Sequence, residues 1–514
     1  MATSSANKRI AKNAIALTFR TVLATIVGLY TSRVVLATLG VENYGIYGVV
    51  GSVVGMLSFL NSSFTAASSR YLSYEIGSNN QERLRQTFAS SFRAHLIIAL
   101  IVLFISETVG LWFLYNKVNI PSHSINAAKW VYQLSIISTL VSITQVPFNS
   151  VIISHEKMGF YAFIEILNVT LKLLIVYLLV LIPENKLILY AVLTLLVTII
   201  MQSISIIYCI RFFHESRFYR IKDRQILKQL LSFSLLDLFG NFSVVVCNQG
   251  RIFLINIFFG VIYNAAVSIA ETVQGMMSSL TNNVLMAFRP HIVKQYAKNN
   301  FYQMGRALRW GMVFSTVAYA LMAIPCMLEA DYILNLWLGM VPPYTVIFLR
   351  VIIFSCLLRI ITSVFGIAIH ATGNIKIISF INGTLILINP FIVWVFFKFG
   401  YAAWFAYIIN AIMIIALDLI YFISLKIQIP KLPNKDIAIV TVKIYAFIAI
   451  AAIPTYYMRS TLTSSFLRLS CVVATYAFCL IFLVWHFIFT YQDRKGIKEK
   501  IQRSLHINTS TNID

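Results

Sequence analysis

The sequence predicts an all-α integral membrane protein with about fourteen transmembrane helices and almost no soluble part. Apolar residues fill 59% of its 514 positions and charged residues only 11%, against roughly 25% charged residues in a soluble domain. The apolar residues occur in runs of about 20 or more, the length that a helix needs to cross a hydrocarbon core of roughly 30 Å. Lipid covers the outward faces of such helices, whereas a soluble core could not bury this many.

Fourteen segments of the chain are long and apolar enough to be read as spans. In chain order they are 13–38, 46–69, 88–115, 129–154, 160–182, 187–210, 229–257, 263–288, 306–328, 344–371, 376–397, 402–424, 438–457 and 467–490. The seventh and eighth segments are polar in places. An even number of spans places both ends of the chain on the same side of the membrane.

The basic residues between the spans alternate from one side to the other. The net charge is +23, and 27 of the 41 lysines and arginines lie on one predicted side against 6 on the other. Cytoplasmic loops carry such an excess, so we expect both termini in the cytoplasm. No nucleic-acid motif accompanies the positive charge. The outer loops are short, which leaves no room for an extracytoplasmic catalytic domain.

An internal repeat relates the two halves of the chain. Gly40 and Gly260 each end an apolar span, and each follows an arginine of the same span, Arg33 or Arg251. The next matching arginine lies 30 positions after Gly40, at Arg70, and 29 positions after Gly260, at Arg289. Spans one to six and seven to twelve are therefore interpreted as two copies of one six-helix unit. The predicted organisation is an N-lobe at 1–212, a basic cytoplasmic linker at 213–228, a C-lobe at 229–424, and two further spans with a basic tail at 425–514.

A small group of basic residues lies within the apolar spans, where a charge costs several kcal/mol unless it is paired or faces water. The deep members are Arg20, Arg93, Arg251 and Arg359, and Arg33 lies nearer to a helix end. Lys172 is in the middle of the fifth span, where it could face a cavity or pair with an acid. A cavity dominated by guanidinium groups would favour an anionic cargo, because arginine binds phosphate through a planar fork of donors.

The acidic residues in the spans are fewer. Asp237 and Glu271 could carry a proton or bind Na⁺ in an ion-coupled cycle, or each could be the ion-pair partner of a neighbouring arginine. Both interpretations stay open from the sequence. No catalytic constellation, nucleotide-binding loop or metal-ligand spacing is present, so we expect no enzymatic activity, no cofactor and no metal site.

Several segments resemble the polysaccharide flippases of the Wzx type. They are Thr31–Tyr47, Arg70–Gly77, Asn248–Gly260, Asn264–Ala266, Phe288–Ile292, Leu336–Leu338 with Pro342, and Ala371–Lys376. The resemblance covers most of the chain up to about residue 430 and is specific at the level of the family. These flippases belong to the multidrug/oligosaccharidyl-lipid/polysaccharide exporter superfamily.

The resemblance implies two six-helix lobes that form a V, with extra helices at the C-terminus. It also implies translocation of an undecaprenyl-pyrophosphate-linked oligosaccharide across the inner membrane, for lipopolysaccharide (O-antigen) or capsule export. Arg33 and Arg251 match the arginines of the pattern and would bind pyrophosphate. The expected partners are the lipid-linked oligosaccharide, membrane lipid and other polysaccharide assembly proteins.

Two other functions compete with this one. A multidrug/cation antiporter of the same fold would need an acidic cavity, and the excess of arginine argues against it. A membrane glycosyltransferase or polymerase of the same pathway would need a sizeable outer loop with catalytic residues, which the predicted topology lacks.

Overall fold

The computed structural model describes most of the chain. The described residues are 2–56, 68, 71–72, 74–76, 80–155, 157–182, 185–217, 224–372, 374, 376–489 and 494, and the description excludes the side chains of 2–25, 158, 161–162, 165, 224, 227, 229–238, 287, 290 and 376–377. Every regular element in this part of the chain is helical, as the sequence predicts.

Six helices make up the first part of the chain. They are α1 (Ala2–Gly55), α2 (Gln81–Ile105), α3 (Leu111–Asn116), α4 (Ile125–Ser154), α5 (Met158–Leu181) and α6 (Lys186–Phe212). A π-helical turn, Ser106–Gly110, joins α2 to α3, and short 3₁₀ turns at Ser122–Ser124 and His214–Ser216 precede α4 and follow α6. Asn80 caps α2 by accepting a hydrogen bond from the Arg83 amide, the role that a short polar side chain performs at a helix start.

Nine further helices follow. They are α7 (Arg224–Phe259), α8 (Val261–Ala297), α9 (Phe301–Leu328), α10 (Ala330–Leu338), α11 (Thr345–Thr372), α12 (Lys376–Lys398), α13 (Phe405–Gln428), α14 (Asn434–Thr461) and α15 (Phe466–Phe487). Asn300 and Ser465 cap α9 and α15 through hydrogen bonds from the backbone amides of Gln303 and Arg468.

The helices account for the predicted spans. Among the described residues, 11 helical segments are long and apolar enough to cross a membrane, so the chain is a multi-pass membrane protein. Two further predicted spans correspond to α5 and α8. The predicted span 46–69 begins in the part of α1 after Gly40, and its residues 57–67 and 69 lie outside the described residues.

The two glycines that the sequence repeat aligns share a backbone conformation. Gly40 has a φ of 78° within α1, and Gly260 has a φ of 88° between α7 and α8. Only glycine adopts such angles at low cost, because a Cβ would meet its own backbone. The backbone therefore turns in the same way at these two positions, and the repeat of the two lobes stays a prediction.

The contacts divide the chain into two compact units. Unit 1 contains Met1–Met276, Asn335–Ile352 and Lys376–Met413, and unit 2 contains Met277–Leu334, Ile353–Ile375 and Ile414–Asp514. The helices α8, α10, α11 and α13 contribute residues to both units. This grouping follows distances in the structure, and the lobe boundaries derived from the repeat stay a prediction.

Each unit has its own helix packing. In unit 1, α4 packs against α6, α1 against α5, and α7 against α12; its largest described core cluster includes Ile46, Tyr132, Leu179 and Phe253. In unit 2, α9 packs against α14 and α15, which also pack against each other. Gly305 in α9 permits the close approach of Pro433, since a Cβ at that glycine would lie 2.4 Å from the proline ring.

Candidate functional site

A network of asparagines fixes the corner between α7 and α8, the two helices that carry Arg251 and Glu271. The Asn256 amide donates to Asn264 Oδ1 (3.0 Å), and the Asn264 amide donates to the Ile252 carbonyl (2.9 Å). Asn256 Oδ1 also accepts a hydrogen bond from the Asn119 backbone amide (2.7 Å). Both asparagine side chains of the corner are buried, so their bonds hold the two helices in one register.

Arg251 and Glu271 meet in a buried cluster that this corner positions within unit 1. Arg251 is 4% exposed, its Nη2 donates to Asn248 Oδ1 (2.7 Å), and its guanidinium carbon lies 5.0 Å from the centroid of the Tyr407 ring. The Tyr407 hydroxyl donates to Glu271 Oε1 (2.9 Å). The phenol ring thus holds the cation on its face and the carboxylate at its hydroxyl.

Two of the guanidinium nitrogens are not used. Arg251 Nε and Nη1 are buried and have no hydrogen-bond partner among the described residues. A buried donor without a partner costs about 1–3 kcal/mol, and more when it is charged. Asn248 and Tyr407 therefore fix the orientation of the Arg251 guanidinium, while its Nε and Nη1 donors have no described acceptor.

The remaining predicted site residues lie elsewhere. Arg33 and Arg93 are exposed on α1 and α2 in unit 1, and Arg359 is exposed on α11 in unit 2. The side chains of Arg20 and Asp237 lie outside the described residues. Of the seven predicted residues, the structure brings together Arg251 and Glu271; the binding and coupling roles of all seven stay predictions.

A separate polar cavity of about 780 Å³ lies within unit 1, lined by α1, α4, α5, α6 and α8. More than half of its lining residues carry a hydroxyl, an amide or a phenol, among them Gln145, Asn149, Asn168 and Thr198. Lys172 is the one charged residue in this lining, which includes no arginine and no carboxylate. The cavity is therefore a different place from the Arg251 cluster.

Helix α8 separates these two features. Ser268 and Thr272, one turn apart, face the cavity, whereas Glu271 makes its hydrogen bond to Tyr407. Gly48 on α1 allows the close contact with this helix, since a Cβ there would lie 2.6 Å from Ser268 Oγ. One helix thus contributes to both sites from different faces.

The uncharged cavity residues were not identified from the sequence. Intramembrane charges stand out against an apolar background, but single amides and hydroxyls are common in membrane helices, where they bond to their own backbone. The available signal was the spacing of Thr194, Thr198 and Gln202, which places three polar residues on one face of an apolar helix. Within the described residues, no group of three or more histidine, cysteine or acidic side chains could hold a metal ion.

The fold is shared with membrane transporters of known structure. The lipid II flippase MurJ in an inward closed conformation matches with a TM-score of 0.71 and 13% identity, over 93% of this chain and 100% of that chain. An inward-facing multidrug resistance MATE family transporter of the MOP superfamily matches with a TM-score of 0.65 and 12% identity, over 81% and 98%. A MOP superfamily transporter from Pyrococcus furiosus, whose binding pocket is described as having reverse polarity, matches with a TM-score of 0.57 and 14% identity, over 81% and 96%.

These similarities define the class of protein: an all-α integral membrane protein with the fold of MOP superfamily transporters and flippases. A family model for polysaccharide biosynthesis proteins matches residues 10–294, more than half of the chain. The chain therefore belongs to the polysaccharide biosynthesis protein family. No curated protein matches it in a sequence search. The compared structures are those of a multidrug transporter, a lipid II flippase and a further MOP superfamily transporter.

Proposed function

We propose that this protein is a flippase for lipid-linked oligosaccharides. It would carry undecaprenyl-pyrophosphate-linked repeat units from the cytoplasmic to the periplasmic leaflet of the inner membrane, for lipopolysaccharide O-antigen or capsule assembly. Both termini would lie in the cytoplasm, and the cycle would proceed by alternating access. Other polysaccharide assembly proteins would supply and consume the repeat unit. Membership of the polysaccharide biosynthesis family and a flippase among the proteins of the same fold support this proposal.

The observation that carries the proposal is the state of Arg251. Its guanidinium is buried inside unit 1, is held by Asn248 and Tyr407, and keeps two N–H-bearing nitrogens without a partner among the described residues. Phosphate oxygens of a pyrophosphate are strong acceptors for charged guanidinium N–H donors of this kind. An anionic headgroup that reaches Arg251 during the cycle would satisfy donors that are otherwise costly to bury.

The alternative cargo, an organic cation, is less well supported. A cationic drug in a membrane cavity is most strongly stabilised by a carboxylate that offsets its charge. The polar cavity of unit 1 has a lysine and no carboxylate in its lining. Glu271 already accepts a hydrogen bond from Tyr407 in a cluster that contains a guanidinium, which makes it a poor cation site.

Deletion of the gene tests the proposed function directly. We expect loss of full-length surface glycan and accumulation of the lipid-linked repeat unit on the cytoplasmic leaflet, measured by mass spectrometry of extracted lipids and by protection from an added periplasmic glycosidase. A plasmid copy of the chain should restore both. Normal surface glycan in a strain that carries no second gene of this family would refute the flippase function.

A transport assay with the purified protein tests which of the two cargoes the protein moves. The purified chain, reconstituted in vesicles, should expose an undecaprenyl-pyrophosphate-linked oligosaccharide to the opposite leaflet faster than empty vesicles do. A lipophilic fluorescent cation in the same vesicles should not redistribute under a proton or Na⁺ gradient. Cation redistribution without glycolipid movement would instead support the antiporter.

A further inference from the structure

We propose that the polar cavity of unit 1 is a saccharide-binding site, which holds sugar rings of the cargo apart from the Arg251 cluster. The proposal rests on the proposed function only in assuming that the cargo carries a glycan. The cavity has a volume of about 780 Å³, within the range of roughly 300–1,000 Å³ that is typical of sites for small molecules. At about 30 Å³ for each water molecule, its volume corresponds to about 25 waters, so it has room for sugar rings.

The polar residues of α6 face the cavity as a continuous row. Thr194, Thr198 and Gln202 follow each other at intervals of one turn and all line the cavity, whereas Leu196 and Ile199 of the same helix are exposed on the outer surface. Helix α6 is thus apolar towards lipid and polar towards the interior of the unit. A membrane helix maintains an inward polar face at a cost in insertion energy, which indicates a ligand or water-filled path on that side.

Helix α5, which packs against α6, has the same arrangement. Asn168 and Lys172 are one turn apart and line the cavity, whereas Phe163, Leu174 and Tyr177 of the same helix are exposed and apolar or aromatic. Two neighbouring helices therefore direct amide, hydroxyl and ammonium groups to one cavity.

The hydroxyls of the lining are arranged to accept hydrogen bonds. Thr31, Ser142 and Thr198 each donate their proton to a carbonyl in the preceding turn, at 2.6, 2.9 and 3.0 Å. A hydroxyl oxygen has two lone pairs, so each keeps at least one for an outside donor, including Thr198 Oγ1, which already accepts a hydrogen bond from Ser138 (3.2 Å). Ring hydroxyls of a sugar are donors of this kind.

The amides of the lining supply the complementary groups. Gln145 is 7% exposed and lines the cavity, and a carboxamide provides both donors and an acceptor. Gln202 Oε1, in the same lining, is buried without a hydrogen-bond partner among the described residues. A sugar hydroxyl is both donor and acceptor, so it can pair with each type of group present. An apolar drug would leave these groups unpaired, at a cost for each one.

Lys172 adds one positive charge to this neutral lining. Its ammonium would pair with an oxyanion. That oxyanion has two potential sources, an acidic substituent of the glycan (a carboxylate or phosphate) and the pyrophosphate of the lipid carrier. The many neutral polar groups around it favour the glycan, because a pyrophosphate has no sugar rings whose hydroxyls could form hydrogen bonds with them. The experiment below distinguishes the two sources.

The test uses the purified full-length chain in lipid nanodiscs and two soluble probes. The first probe is the oligosaccharide repeat released from the host's surface polysaccharide by mild acid, and the second is inorganic pyrophosphate. Gln145→Leu, Asn149→Leu and Thr198→Val should each weaken oligosaccharide binding, about tenfold where one buried hydrogen bond is lost without compensation, and leave pyrophosphate binding unchanged. Thr170→Val is the matched control, because Thr170 is exposed on α5 and donates to the Ile166 carbonyl.

Three results would overturn the proposal. They are an absence of oligosaccharide binding by the unmodified chain, unchanged oligosaccharide affinity in all three cavity variants, and a Lys172→Met variant that loses pyrophosphate binding but keeps the oligosaccharide. The third result would assign the cavity to the headgroup. Thr198→Val keeps the shape of the side chain and so remains informative if the leucine variants fold poorly.

The failure of this proposal is separate from the failure of the flippase function. The titration measures binding by the purified chain, whereas gene deletion measures export. Loss of export on deletion together with unaltered oligosaccharide affinity in the cavity variants would retain the flippase and reject the cavity as its saccharide site. Normal export in the deletion strain would reject the flippase function, and the binding titration would then test the saccharide site independently.

Discussion

The guanidinium of Arg251 lies against the face of the Tyr407 ring, with its carbon 5.0 Å from the ring centroid. The hydroxyl of the same ring donates to Glu271. Tyr407 therefore connects the buried cation to the buried carboxylate without a described direct ion pair between them. Substitution of Tyr407 can therefore distinguish the contribution of its ring, which packs on Arg251, from that of its hydroxyl, which donates to Glu271.

Tyr407→Phe should destabilise unit 1 while preserving the ring. The phenylalanine keeps the contact with Arg251 but leaves the Glu271 carboxylate without its donor, a loss of about 1–3 kcal/mol. Thermal unfolding of the purified protein measures the effect. Tyr401→Phe is the control, because Tyr401 is 45% exposed and should show an unchanged midpoint. Equal midpoints in both variants would mean that the Tyr407 hydroxyl does not stabilise the cluster.

Arg251→Ala should abolish or strongly reduce glycan export while the protein still reaches the membrane. Arg251→Lys should restore export only in part, because an ammonium keeps the charge but lacks the planar fork of donors. Surface glycan and membrane abundance are measured together in the deletion strain. Arg217→Ala is the matched control, since Arg217 is exposed after α6. Full export by Arg251→Ala would remove this residue from the pyrophosphate site.

Arg33→Ala tests the second arginine that the family resemblance selects. Its side chain is exposed on α1, so the substitution should leave the thermal midpoint unchanged. Export should fall if Arg33 meets the headgroup during the cycle. A variant with normal stability and normal export would exclude Arg33 from the site.

Gly45→Ala should prevent normal folding of unit 1. A Cβ at Gly45 would lie 2.1 Å from the Val261 carbonyl oxygen, a backbone atom that cannot move without displacing α8. Gly51→Ala on the same helix is the control, because a Cβ there meets nothing within 4 Å and alanine favours the helix by about 1 kcal/mol. Size-exclusion profiles of tagged protein in detergent compare the two. A monodisperse Gly45→Ala protein with the abundance of the control would contradict the close approach of α1 and α8.

Glu329, directly after α9, should stabilise the packing of unit 2. Its fully buried side chain lies 2.6 Å from Arg468 Nη2 and 3.7 Å from Arg459 Nε. Arg468 is the less exposed partner, with 14% against 30% for Arg459. Removing one partner of a buried pair costs about 3–5 kcal/mol, so Arg468→Ala should lower the thermal midpoint clearly more than Arg459→Ala. The reverse order would show that the longer contact is the stronger one.

The sequence was sufficient for the broad architecture because a membrane imposes its own length and polarity on each span. The helices α9, α11, α13 and α14 coincide with predicted spans to within a few residues. The same contrast made Arg251 and Glu271 visible, since a charge in an apolar run is rare. The glycines at 40 and 260 were also recognisable, because their spacing recurs and only glycine adopts that backbone conformation.

Contacts between distant parts of the chain could not be predicted from the sequence. The sequence does not say that Tyr407 on α13 meets Arg251 on α7, nor that polar residues from five helices enclose one cavity. Each of those residues is unremarkable in its own span, because a hydroxyl or amide bonded to its own helix is tolerated in lipid. The sequence by itself thus determined a multi-pass helical protein with a few buried charges. Helix packing alone decided which charges meet and where the polar faces converge, because those depend on the rotation of each helix against its neighbours.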